Sequence, residues 1–265
     1  MSVARQRVLA IDVGGTHVKV LATGRRTAVH IPSGPTMTAR AMVAAVKKAT
    51  ATWKYDVVSI GFPGPVLHGK PVAEPKNLGG GWVGFDFRKA FRKPVKMVND
   101  AAMQALGSYR GGRMLFLGLG TGLGSALVID GRVEPMELAH LPYKKDKTFE
   151  DYVGLRGLER LGKKKWRTEV ADVIERLRAA MQADYVVVGG GNAKKLSDLP
   201  KGVELGDNAN AFLGGFRMWE GESSHGRRMH QPLRKRAARA PTSAAVVTSS
   251  RSRKRKARTA PPARK

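Results

Sequence analysis

Two segments of this chain share one plan. Residues 7–22 read RVLAIDVGGTHVKVLA, and residues 113–129 read RMLFLGLGTGLGSALVI. Each is a short apolar run, a break carrying glycine and threonine, and a second apolar run. That pattern predicts strand, tight turn, strand. Each segment opens one half of the chain's body, and two such units point to two similar lobes with a cleft between them. Further strands are expected at 56–60, 94–98 and 184–188, and helices at 37–52, 101–109, 149–161, 167–182 and 208–219. Strands alternating with helices define an α/β protein.

Composition bears on what the lobes can do. The chain has no cysteine, which excludes disulfides, thiolate-ligated zinc, iron–sulfur clusters and a thiol nucleophile. Its formal charge is +27 over 265 residues. Residues 226–265 hold 14 Lys and Arg and no acid. The remaining 34 Lys and Arg face all 21 acids in residues 1–225, a net of +13. The C-terminal stretch, 223–265, is read as a disordered basic tail, because it lacks the apolar surface to offset its ordering entropy. RSRKRKAR at 251–258 is a polyanion-binding segment by charge alone, which could recruit polyphosphate, touch nucleic acid nonspecifically or do nothing specific. The apolar run Met114–Ile129 is too short and too rich in glycine to span a membrane, and Asp12 interrupts the first apolar run before it resembles a leader. A soluble cytoplasmic protein is expected.

Three glycine clusters are candidate phosphate cradles. Gly14 and Gly15, flanked by Asp12 and Thr16, lie in the first turn. Backbone N–H groups in such a turn can face an anion, and the Thr16 hydroxyl adds a donor. Asp12 would repel phosphate unless a cation intervened, which suggests an outer partner for Mg²⁺; Lys19 could neutralise further charge. An ordinary β-turn explains the paired glycines equally well. The second cluster is Gly120, Thr121 and Gly122, between Gly118 and Gly124. The third, Gly189 with Gly190 and Gly191, follows a buried strand. GLERLGKK at 157–164 nearly spells a P-loop but lacks the hydroxyl for magnesium and a preceding strand.

Asn99-Asp100 ends one strand and opens a helix. Asp100 could cap that helix or accept a proton from an attacking hydroxyl. Glu137, His140 and Glu150 would complete a hydrogen-bonding set for a polyhydroxyl ligand.

Together these motifs resemble the ROK sugar kinases of the hexokinase–actin superfamily. DVGGT resembles the first phosphate motif, PKNLGGGW through VNDAAMQALGSYRGG the sugar segment, and GLGTGLGSALVIDG the second phosphate motif. ELAH at 137–140 resembles the ExGH motif, FEDY the later glutamate segment, and VVVGGGNA the nucleoside-side motif. The similarity runs over residues 7–219 in the family's order. It implies an actin-like, ribonuclease H-like fold with a central cleft. The lobes would be 1–100 and 101–222. Asp100 would be the general base toward a sugar 6-hydroxyl. Asn99, Glu137, His140 and Glu150 would be sugar ligands, with Asn77 shaping the sugar loop. The family's cysteine-and-histidine zinc site has no counterpart between His140 and Glu150, so no structural zinc is expected. The short lysine-rich loop there is similar to the polyphosphate glucokinase branch. Lys144, Lys145, Lys147, Lys163, Lys164, Lys165 and Arg167 would offer a cationic track. The resemblance thus implies a homodimeric kinase that phosphorylates glucose from polyphosphate, ATP or both. The alternatives are an ATP-dependent kinase for another hexose and a non-catalytic sugar or polyanion sensor.

Overall fold

The computed structural model describes residues 6–220; the expected tail, 223–265, lies outside them. Two five-stranded sheets carry the fold. The first contains β1 (Val8–Val13), β2 (His17–Ala22), β3 (Val29–Pro32), β4 (Val57–Phe62) and β7 (Val95–Asn99). The second contains β8 (Arg113–Leu119), β9 (Leu123–Ile129), β10 (Arg132–Met136), β13 (Tyr185–Gly189) and β14 (Val203–Leu205). In both, the spatial order is third, second, first, fourth, fifth. The first three strands form an antiparallel meander, and the last two join the first strand in parallel. The echo in the sequence is therefore a repeated topology.

Burial explains which parts are legible. Strands β1 and β4 are buried along their whole length, as their continuous apolar runs require. The 16-residue uncharged run folds back on itself, with Leu119 opposite Leu123. The short outer strands β3, β10 and β14 were not expected. Their residues are largely exposed, so they carry no apolar alternation, and β10 contains Pro135. Two small hairpins, β5 (Val66–Leu67) with β6 (Lys70–Pro71) and β11 (Pro142–Lys144) with β12 (Lys147–Thr148), complete the strands.

Helices α1 (Ala39–Ala49), α2 (Phe87–Phe91), α4 (Phe149–Val153) and α5 (Leu155–Met181) connect the strands. The expected helix over 149–161 is broken at Gly154, and α5 itself has a non-helical residue at Gly162, with φ of 72°. The P-loop-like GLERLGKK lies within α5 rather than in a loop.

The remaining helices, α3 (Asp100–Ser108) and α6 (Asn210–Arg217), exchange partners. The alanines of α3, Ala101, Ala102 and Ala105, pack with Phe116, Ala126 and Val128 of the second sheet. Helix α6 lies on the first sheet, where the Ser59 hydroxyl donates to the Gly215 carbonyl at 2.6 Å. The two helices touch backbone to backbone. A Cβ on Gly107 would stand 1.8 Å from the Asn210 oxygen, and one on Gly214 1.7 Å from the Met103 oxygen. A linear boundary at residue 100 therefore divides the sheets but not the helices.

Candidate active site

The two glycine turns and the start of α3 define the site. Asn99 ends β7, and its side chain caps α3 by accepting from the Ala102 N–H at 2.8 Å. The cap is thus Asn99, not Asp100. The Asp100 carboxylate accepts one bond from the Ala101 N–H at 2.8 Å and keeps its remaining acceptor capacity. A glycine from each sheet makes room for this turn of helix. A Cβ on Gly61 of β4 would meet the Met103 Cε of α3 at 2.5 Å, and one on Gly124 of β9 would approach the Ala101 Cβ to 2.8 Å. Gly124 is therefore required by helix packing, not by a ligand.

Electrostatics mark Asp100 out. Burial pushes its pKa up to about 7, and the negative charges of Asp12 and Glu137 add to that rise against the Ala101 N–H. Asp12, at the end of β1, is buried and likewise raised by burial, with Lys19 opposing at 3.3 Å. Carboxylates from β1 and from the segment after β10 thus both act on Asp100.

The first turn is closed by the Gly14 N–H donating to the His17 carbonyl at 3.1 Å, and a Cβ on Gly14 would meet that carbonyl at 2.9 Å. Asn77 packs on Gly15, where an added Cβ would come within 3.0 Å of the Asn77 Cβ. Thr16 is exposed. Ser33 ties the turn down from outside, its hydroxyl donating to the Gly14 carbonyl at 2.6 Å.

The second turn is held on several sides. Asn192, buried after β13, donates from its backbone to Leu119 and from its side chain to the Gly120 carbonyl, each at 2.9 Å. Lys195 Nζ in turn donates to the Asn192 carbonyl oxygen at 2.6 Å. Gly190, with φ of 85°, lies so close to the Leu119 backbone that a Cβ would overlap it. Gly120 and Gly191 face open space. The Leu155 N–H donates to the Thr121 carbonyl at 3.1 Å. Glu150 stands at this same turn: it accepts from the Leu123 N–H at 3.2 Å, fills the place of a Cβ on Gly122, and meets Arg156 at 3.4 Å.

Glu137 and His140 are exposed at the two ends of a single helical turn whose Leu138 and Ala139 are buried. Buried Ser125 anchors it, donating to Met136 and accepting from the Leu138 N–H. Ser33, Ser125, Asn192 and Lys195 escaped the sequence reading because a lone polar residue announces no partner; only Asn192, beside GGG, had a signal.

Among the described residues, no group of three or more His, Asp and Glu side chains could hold a metal. Asp12 alone fits the outer shell of a magnesium ion that keeps its waters and substrate phosphates. Lys144 is not part of an open track: it pairs with Glu169 at 2.8 Å and Asp172 at 3.5 Å. A cavity of about 830 Å³ lies along the β7 edge and contains none of these site residues.

Residues 8–135 match the model of the ROK family. The described fold is that of actin-like ROK proteins. The chain is 25% identical over 214 residues to a polyphosphate glucokinase of Mycobacterium leprae, covering 72% of this chain and 65% of that protein's length. It is similar in fold to an inorganic polyphosphate/ATP-glucomannokinase of Arthrobacter sp. strain KM, with a TM-score of 0.67 at 22% identity, covering 80% of this chain and 97% of the other. It is also similar to a ROK family glucokinase of Streptomyces griseus solved with glucose and AMPPNP, with a TM-score of 0.61 at 17% identity over 80% and 98% of the two chains. No helix among the described residues is long and apolar enough to cross a membrane.

Proposed function

We propose that this protein is a sugar kinase that transfers a phosphoryl group from inorganic polyphosphate, ATP or both to the 6-hydroxyl of glucose. The observation that carries this reading is Asp100: an uncapped carboxylate at the head of α3 whose proton affinity lies near neutrality. A base tuned to that range is ionised in useful amount yet basic enough to take a hydroxyl proton. In the proposed step the sugar oxygen bonds to phosphorus while its proton passes to Asp100. The bond from phosphorus to the rest of the donor breaks, and its electron pair leaves with the shortened polyphosphate or ADP. Asn99, Glu137 and His140 would orient the sugar. The turns at Gly14, Gly15 and Thr16, at Gly120, Thr121 and Gly122, and at Gly190 and Gly191 would receive donor phosphates, the Gly14 and Gly120 N–H groups closing their own turns and Lys19 balancing charge. Glu150 would support the second turn as well as the sugar. Magnesium, held through Asp12 and donor oxygens, would supply charge neutralisation.

The test is glucose 6-phosphate formation with polyphosphate and ATP as separate donors. Asp100→Asn should keep the fold and lower turnover by ~10²-fold or more. Near-normal turnover in that variant would defeat the assignment. No product from either donor would favour the sensor instead, and product from another hexose alone would favour the other kinase.

A further inference from the structure

The end of the first sheet opposite the candidate site is a concave cationic surface. Strands β1, β4 and β7 run in parallel, and their carboxyl ends carry Asp12, Phe62 and Asn99. Their amino ends are preceded by Arg7, Asp56 and Lys93. Two adjoining depressions of about 450 and 660 Å³ lie there and share Arg7 and Lys54. They are lined by six cations, Arg7, Arg25, Arg26, Lys47, Lys54 and Lys93, and by one acid, Asp56. Arg7 already neutralises that acid, bonding both carboxylate oxygens at 3.1 and 2.8 Å. Arg26 and Lys54 form no ion pair among the described residues. Like charges gathered in a hollow repel one another unless an anion enters.

The chemistry of the hollow selects a phosphate chain over a nucleic acid. Single-stranded nucleic acids are gripped by open aromatic faces as well as by charge. Here Arg25 covers the Trp53 ring at 4.1 Å, and Trp53 and Tyr55 are packed on the core of the first sheet. Both rings are half-buried and one is capped by a guanidinium, while exposed cations and the exposed Thr27 and Thr52 outnumber them.

We propose that this surface is a second anion site, which holds the distal part of a long inorganic polyphosphate whose reacting end lies at the glycine turns. The catalytic use of the site rests on the polyphosphate-donor reading above; the binding itself does not. Strands of five or six residues separate the two ends by roughly 17–20 Å. A long chain spans both, whereas tripolyphosphate and ATP reach only the cleft.

The test uses the full chain and the triple variant Arg26→Gln, Lys54→Gln, Lys93→Gln. All three side chains are exposed, and an unchanged melting temperature verifies the fold. Binding of long-chain polyphosphate is measured against salt concentration. The variant should bind it ~10-fold more weakly at low salt, with the log–log salt slope smaller by about 2. KM for long-chain polyphosphate should rise, while kcat and the KM for tripolyphosphate or ATP stay unchanged. Unchanged affinity and slope for the long chain would overturn the site. An equal loss for tripolyphosphate would also overturn it, because the charges would then act as a general field. Loss of affinity for a single-stranded RNA homopolymer without loss for polyphosphate would make it a nucleic-acid surface and end the proposal. If the wild-type protein makes no glucose 6-phosphate from polyphosphate, the donor reading fails, while the binding comparison still decides the site.

Discussion

Asn99 and Asp100 are adjacent, similar in size and both good helix caps, yet they do different work. Asn99 takes the cap, so the Asp100 carboxylate is left with one backbone bond inside a partly desolvated, negatively charged setting. Its acidity lies near 7 in the folded chain, against an ordinary value of 3.8. Because the folded value is raised, protonated Asp100 favours the fold below pH ~4, and that contribution is lost as pH rises through 7. Asp100→Asn should therefore gain stability relative to wild type between pH 5 and pH 8, read as a growing difference in melting temperature. A difference constant across that range would contradict the tuned carboxylate. If Asp100 is the base of the proposed reaction, kcat/KM of the wild-type protein should rise with pH through about 7, because a base must be unprotonated. The residue pair was legible in the sequence; the division of labour was not, since propensity favours either as the cap.

At the scale of elements, the repeated strand–turn–strand pattern was readable because buried meander strands show continuous or alternating apolar runs. The exchange of α3 and α6 between sheets was not readable. It depends on small residues, Gly107 and Gly214, at one crossing where the backbones touch. Gly107→Ala would drive a methyl group into the backbone of α6. It should cost more than ~4 kcal/mol or prevent folding, measurable by thermal unfolding; retention of wild-type stability would mean the helices do not cross so closely. The hairpin β11–β12 shows a similar limit. The Tyr143 hydroxyl bonds Glu169 at 2.6 Å and also Asp172, and Lys144 pairs with the same acids. Tyr143 packs on Phe149 and Tyr152, joining the segment after His140 to the helix that carries Glu150. The lysines here read as a solvated track, because sequence spacing does not reveal a partner 25 residues away.

Over the whole molecule, charge is the dominant long-range property. Residues 1–225 carry +13 and residues 226–265 another +14. A polyanionic donor would meet both, and each contact would weaken with salt. If the C-terminal stretch recruits donor, removing residues 226–265 should flatten the salt dependence of KM for polyphosphate and leave the melting temperature unchanged. An unaltered salt slope would exclude that recruitment. The sequence by itself determined the α/β class and the two glycine turns, and it pointed to the Asn99-Asp100 pair, because apolar periodicity, glycine punctuation and a motif order survive in one dimension. Tertiary structure alone decided which of two neighbouring residues keeps a spare carboxylate, why Gly124 and Gly107 are glycine, and that six scattered cations share one hollow. Those facts depend on approach between segments distant in the chain, and local sequence does not encode distance.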